Sequence, residues 1–187
     1  MPQPDPFAAF PLSHVDRIEI AAQDLLLDDT QISTWCAGRV YRLPDPTMVP
    51  LTDLPALFVV AARTQQQPDL QSEDDVFVEL KLVGFYEEGR DRVEPTERTV
   101  SGLVEELLRI FAGTGDSTLL IVPRYSSQPL VDRLDQIFDT DYQVVEQQQP
   151  NLEEGEASPT IIRAVEQRLL YSYLVDRDTR EKVGFTP

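Results

Sequence analysis

Residues that could carry catalysis are few in this chain. It has one histidine (His14), one cysteine (Cys36) and two lysines (Lys81 and Lys182) against 33 acidic residues. A Ser/His/Asp or Cys/His mechanism would have to use His14, which follows a proline-rich N-terminus. Structural zinc sites draw several ligands from Cys and His, so a zinc site of that kind is not expected either. The sequence therefore predicts a non-catalytic protein without a cofactor.

Clusters of acidic residues are the remaining groups that could bind a metal ion. They lie at residues 73–75, at residues 87–88, and at Asp176, Asp178 and Glu181. None has the glycine and terminal glutamate of a calcium-binding loop at the required spacing. Neighbouring residues of a strand point to opposite faces, so adjacent carboxylates do not converge on one ion. We interpret these clusters as solvated charge and expect no metal site.

The net charge of −17 restricts the partners of this chain. Affinity for nucleic acid depends on Lys and Arg that displace counterions, so sequence-specific DNA binding is not expected. An acidic wall still lets DNA pass without adhering to it, because like charges repel. The same acidity could instead serve solubility or reflect adaptation to salt. Both interpretations stay open on the sequence alone.

Length and composition indicate one soluble domain. With 187 residues, of which 41% are hydrophobic, the chain can bury a substantial core without a second domain. No apolar stretch approaches the roughly 18 residues of a membrane helix, so we expect a cytoplasmic site of assembly and no membrane partner. Residues 1–12 predict a flexible proline-rich arm, residues 13–177 the domain, and residues 178–187 a flexible tail.

Apolar periodicity predicts two main helices and a short one. Residues 14–27 carry apolar side chains at three- and four-residue spacing, and Ser13 and Asp16 are placed to form a capping box. A longer apolar stripe marks an amphipathic helix over residues 97–112. Pro129 is placed to begin the short helix.

Alternating and continuous apolar runs predict the strands. The clearest is Val76–Tyr86, in which one face is apolar and the other mixed, and Gly84 is placed to bulge its end. We expect this strand near the middle of the sheet, with the helix of residues 97–112 across it. The fold class is therefore α+β, a single domain with a mixed or antiparallel sheet of about five to six strands packed against two main helices. The other predicted strands are residues 32–43, 56–62, 118–122, 142–145 and 160–175.

The order and pattern of these elements resemble the tail terminator, or tail completion, proteins of long-tailed bacteriophages and related contractile injection systems. The resemblance covers residues 13–177 and does not include a single invariant motif. The segments that carry it are HVDRIEIAAQDLLLDD (14–29), LPDPTMVPLTDLPALFVVAA (43–62), VFVELKLVGFYEE (76–88), TVSGLVEELLRIFAG (99–113) and LLYSYLVDRDTR (169–180).

The resemblance implies a structural subunit of the virion tail, assembled in the host cytoplasm. Copies would form a ring, a hexamer by this resemblance, that caps the tail tube, stops its polymerisation and presents a surface to a head-tail connector or neck protein. DNA would pass through the lumen without specific binding. We expect the surface for the tail tube in two exposed charged loops that flank the strand Val76–Tyr86. The candidate contact residues are Glu73, Asp74, Asp75, Glu87, Glu88, Arg90 and Arg92.

Two other classes of function stay open. One is a small acidic adaptor or immunity-type inhibitor whose negative surface masks a basic partner. The other is an enzyme that uses carboxylates alone. A solution mass separates the ring from the inhibitor, because a ring requires several copies and an acidic inhibitor is usually a monomer.

Overall fold

The computed structural model describes residues 12–42, 54–68, 73–88, 96–113, 121–124, 128–148, 160–179 and 181–184. Across these residues the chain is a single α+β domain with three helices and a six-stranded mixed sheet, as the sequence predicts. The helices are α1 (His14–Asp28), α2 (Thr30–Trp35) and α3 (Thr96–Phe111). The strands are β1 (Val40–Tyr41), β2 (Ala56–Pro68), β3 (Glu73–Glu88), β4 (Arg133–Ile137), β5 (Asp141–Gln148) and β6 (Thr160–Asp176).

The two longest strands form the centre of the sheet. β3 and β6 are antiparallel neighbours, paired from Glu73 opposite Asp176 to Glu88 opposite Ile161. β2 pairs antiparallel with the other side of β3, and β1 adds a short parallel edge to β2. β4 and β5 pair one after the other with the second side of β6. The order β1-β2-β3-β6-β4 places β3 in the middle, which confirms the prediction for this strand.

Helix α1 begins with the predicted cap and is fixed along one side of the sheet. Ser13 and Asp16 form the capping box, with the Ser13 N–H donating to the Asp16 carboxylate at 2.8 Å. One turn apart, Gln23 donates to the carbonyl of Val40 at 2.7 Å and Glu19 accepts from a backbone N–H of β2 at 3.3 Å. Both bonds connect the helix to backbone groups of the sheet, so α1 covers the β1–β2 side.

The run of residues 32–43 was predicted as a strand, but its described part, residues 32–42, is mostly helix and turn. Asp29 causes this, because its Oδ1 accepts from the N–H groups of Gln31 and Ile32, both at 2.9 Å, and so starts α2. The Oδ2 of the same carboxylate accepts from Arg109 of α3 at 2.5 Å. The cap and this contact outweigh the strand preference of the sequence, and only the two residues of β1 remain extended.

Helix α3 packs its apolar face on the core side of the sheet, as predicted. A Cβ at Gly84 of β3 would lie 2.9 Å from Cδ2 of Leu103 and 3.1 Å from Cγ1 of Val165. The glycine therefore permits the close approach of helix and sheet. Its pairing is continuous on both sides, so the predicted bulge at Gly84 is wrong. At the other end of α3, the Tyr171 hydroxyl donates to the carbonyl of Phe111 at 2.7 Å.

The polar segment of residues 64–75, predicted as a loop, is largely strand. β2 continues to Pro68 and β3 begins at Glu73, with one register shift between Arg63 and Gln65. The backbone ladder extends through this polar sequence because each strand finds its partner in the other. The polar side chains led to the prediction of a loop, but the backbone hydrogen bonds between β2 and β3 keep this segment extended.

The short helix predicted from residue 129 is wrong, because this segment leads into strand β4. The N–H of Asp132 donates to a carbonyl of β6 at 2.9 Å. Strand β4 then hydrogen-bonds to β6, whose backbone groups on this side would have no strand partner if the segment were a helix. The buried Gln167 fills the step between β4 and β5. Its amide donates to the carbonyl of Phe138 and accepts from the Thr140 hydroxyl, both at 2.8 Å.

Two predictions fall wholly or partly outside the described residues. The proline-rich arm lies in residues 1–11, with only the exposed Leu12 described. Of the strand predicted for residues 118–122, only Ile121 and Val122 are described, and they are irregular. Ile121 is buried, and its carbonyl accepts from the N–H of Leu130 at 2.7 Å.

The two faces of the sheet are covered differently. The core face packs against all three helices through a large apolar cluster. The opposite face carries a smaller apolar cluster at one end, in which Phe58 lies between Tyr41 and Phe85 with ring centroids 5.5 and 5.3 Å apart. Further along that face, Lys81 binds Glu166 at 2.6 Å. The main core therefore lies on the face of the sheet that the helices cover.

Two glycines test the packing of α3 with opposite expected signs. Gly84→Ala should lower the free energy of unfolding by about 1–3 kcal/mol, because the new methyl overlaps Leu103 and Val165. Gly102→Ala should raise it by about 0.5–1 kcal/mol, since this helical position has open space around it. Denaturant unfolding of both variants measures the two effects. A neutral or stabilising Gly84→Ala would contradict the close approach.

Candidate assembly surface

The first group of predicted contact residues begins strand β3 and does not form a loop. Glu73, Asp74 and Asp75 pair with the end of β6, which corrects the sequence-based assignment. Asp74 is only 6% exposed, and its Oδ1 accepts from Nε of Arg177 at 2.6 Å. Asp75 lies 3.7 Å from a guanidinium nitrogen of Arg133 in β4. Asp74 and Asp75 therefore form ion pairs with other parts of the same chain.

The second group ends the same strand. Glu87 and Glu88 are the last residues of β3 and pair with the beginning of β6. Arg90 and Arg92 lie outside the described residues. Because a strand rises about 3.4 Å per residue, the two groups are about 45 Å apart along β3. They do not form one patch, and a single neighbouring surface would have to span the whole strand to contact both.

The carboxyl-terminal segment, predicted as a flexible tail, returns to the sheet at residues 181–184. Lys182 forms an antiparallel bridge with Val175, and the N–H of Val183 donates to Leu174 at 2.9 Å. The side chain of Lys182 is almost fully buried and binds Oδ1 of Asp132 at 2.6 Å. Oδ2 of Asp132 accepts from the N–H of Leu174 at 3.0 Å. Asp132 thus connects the start of β4, the end of β6 and the tail.

His14 belongs to the same region and has a structural environment. Its Nε2 lies 2.7 Å from the carbonyl of Leu130, so that nitrogen carries the proton, and its ring packs 4.4 Å from the ring of Tyr173. Burial lowers the pKa of His14, the hydrogen bond to Leu130 opposes this, and the charge of Lys182 adds to the lowering. The imidazole is therefore held in its neutral form by packing.

Cys36 is a packed thiol at the end of α2. It is fully buried, and its Sγ donates to the carbonyl of Ile32 at 3.1 Å. Burial raises the pKa of Cys36, which disfavours the reactive thiolate. The absence of catalysis by His14 and Cys36 stays a prediction, and the environments of both residues are those of side chains that stabilise the fold.

Many of the Lys and Arg side chains form ion pairs with carboxylates of the same chain. Arg168 lies 3.5 Å from Glu166 and also stacks over the ring of Phe138, at 4.9 Å from the centroid. Such pairs hold positive charge close to the protein surface and leave the excess carboxylates to set the sign of the outer potential. The cations paired in this way within the described residues are Lys81, Arg109, Arg124, Arg133, Arg168, Arg177 and Lys182.

An apolar stripe on the outer strands was not predicted from the sequence. Ile137, Tyr142 and Val144 are 48%, 56% and 57% exposed and lie opposite Leu169, Val165 and Arg163 of β6, on the core face beyond the helices. We call these three residues the edge stripe. The sequence analysis assigned Ile137 to the apolar face of the helix predicted from residue 129, so its exposure was not expected. The alternation of polar and apolar residues at Asp141, Tyr142, Gln143 and Val144 could have indicated a strand with one apolar face.

Comparisons with known proteins do not assign this chain to a family. No protein-family model matches it, and no curated protein matches it significantly. Within the described residues, no group of three or more His, Cys, Asp or Glu side chains is arranged to hold a metal ion. The described helices also include none that is both long and apolar enough to cross a bilayer.

The buried position of His14 predicts a pH-dependent contribution to stability. Because the folded protein holds its pKa below 6.5, this contribution is present above pH 6.5 and is lost as the pH falls through the folded pKa. His14→Gln keeps a donor for Leu130 but does not titrate. The wild-type chain should therefore lose stability relative to His14→Gln below pH 6.5. Parallel pH profiles of unfolding would contradict the assignment.

Proposed function

We propose that this chain is the subunit of a tail terminator ring of a long-tailed phage or a related injection machine. Copies would assemble as a hexamer on the end of the tail tube, stop its polymerisation and present a surface to a connector or neck protein. The resemblance of segments 14–29, 76–88 and 169–180 supports this reading, and the α+β fold agrees with the subunit it implies.

The paired cations are the observation that carries the proposal. A ring around DNA must let a polyanion slide, and Lys or Arg side chains directed into a lumen would bind its phosphates. Seven cations of the described residues are instead held by neighbouring carboxylates, for example Lys81 by Glu166 at 2.6 Å. With a net charge of −17, a wall built from this surface would repel DNA.

The same charge opposes self-association. Copies that each carry −17 repel one another, and this repulsion weakens at moderate salt, where the screening length falls to about 8–10 Å. We therefore expect the ring to close on the tube, and not from free chains at low ionic strength.

A small acidic adaptor or inhibitor is the second candidate, and a specific observation favours it. Asp139 and Asp141 are exposed, and both lie within three residues of the exposed Tyr142 along the chain. A basic partner with an apolar contact residue would complement this arrangement. Such a protein would be monomeric when free and would bind one partner without any effect on tail length.

A gene deletion tests the terminator proposal. Without the chain, tail tubes should grow beyond their normal length, because nothing stops polymerisation. Electron microscopy of the particles measures this length, and a plasmid copy of the wild-type chain is the control. Tails of normal and uniform length, together with full infectivity, would rule out termination.

A complementing variant tests the second group of contact residues. Glu87→Lys combined with Glu88→Lys should fail to restore tail length if these residues contact the tube or a neighbouring subunit. Glu105→Lys, on the exposed side of α3, is the control for added positive charge. Full rescue by the double variant would keep the function and discard this contact.

A further inference from the structure

The outer side of strand β5 is an edge of the sheet. β5 pairs with β6 on one side, and no other strand of the described residues pairs with it. An edge strand presents backbone N–H and C=O groups to any strand that can align with it, and proteins block such edges with charged side chains, Pro or β-bulges. Residues 133–148 contain neither Lys nor Pro. Register shifts lie between Leu134 and Gln136 and between Val144 and Glu146, so the straight, regular stretch that can pair is Asp141–Val144.

We propose that this edge pairs with β5 of a second copy, antiparallel and across a two-fold axis at Gln143. In this register Tyr142 lies opposite Val144 of the second copy, and Val144 opposite its Tyr142. Aromatic and β-branched side chains are favourable cross-strand pairs. Both residues are more than half exposed in the single chain and become covered by the pairing.

The charge pattern of β5 favours a second copy in this register. Asp141, the one charged residue of the straight stretch, lies opposite position 145, which is uncharged. A register centred on Asp141 would instead place two carboxylates against each other, which is destabilising. The straight part of the edge is thus complementary to itself despite the net charge of −17.

This pairing does not rest on the proposed function. A two-fold contact uses the same patch on both copies, whereas neighbours in a ring meet through two different patches. The pairing therefore concerns the free protein, and assembly on a tube would use other surfaces. A tail-length experiment does not test it.

A cysteine cross-link tests the register directly. In a Cys36→Ser background, Gln143→Cys places the two thiols opposite each other, at a separation suited to a disulfide. Oxidation at moderate salt should give a covalent dimer in denaturing electrophoresis. Gln136→Cys is the matched control, because it is exposed on the same face of the preceding strand β4 but would lie about 40 Å from its copy. Equal cross-linking of both, or of neither, would overturn the register.

Light scattering of the uncrosslinked protein tests the surface. The wild-type chain should dimerise more tightly as salt rises, and Tyr142→Asp should weaken the dimer by about tenfold or more. Leu27→Asp adds the same charge at an exposed apolar residue of α1 and should have little effect. A wild-type chain that stays monomeric at moderate salt, or equal effects of the two variants, would reject the pairing. A basic partner would then be the better occupant of the edge.

Discussion

The antiparallel ladder between β3 and β6 is the constraint on which the rest of the structure depends. It pairs every residue of the 16-residue strand β3 with a residue of β6. Its register places Val78 beside Tyr171 and Leu80 beside Leu169 on the core face. A shift of one residue would turn the apolar side chains of one strand to the opposite face. The core under the helices, the edge for β4 and β5, and the attachment of the tail all follow from this register.

The sequence predicted those helices and strands in which the spacing of apolar residues shows which face is buried. The capping box of Ser13 and Asp16, the apolar stripe of α3 and the alternation of β3 all act within one element, so their residue types were sufficient. The apolar stripe of α3 also led to the prediction that β3 is central, because a helix with one apolar face must bury that face against a sheet or another helix.

The failures came from contacts between distant parts of the chain. Nothing near residue 29 shows that Asp29 will both cap α2 and bind Arg109, 80 residues later. The segment beginning at Arg133 carries a helical apolar pattern, yet the open side of β6 makes it a strand. A glycine near a strand end, such as Gly84, is typical of a bulge, but this glycine is needed because Leu103 of α3 leaves no space for a side chain. For the predicted contact groups, the sequence located the charges at the two ends of one strand and missed that the pairing with β6 continues through Glu73–Asp75 and Glu87–Glu88.

Charge links the fold to the proposed assembly. Buried or half-buried pairs such as Asp74 with Arg177 and Asp132 with Lys182 join the strand ends and neutralise cations. With a net charge of −17, the chain carries many more carboxylates than these pairs use, and its outer potential is negative. Such a protein meets other copies only where its surface is apolar, or where a scaffold such as a tube holds the copies together.

The copy number and position of the chain in assembled particles test the central claim most directly. In particles assembled with an affinity-tagged chain, quantitative mass spectrometry and electron microscopy of the label measure both. A hexameric terminator ring predicts about six copies per tail, all at the end of the tube that joins the head. Labelling along the whole tube, a single copy, or absence from purified tails would contradict it.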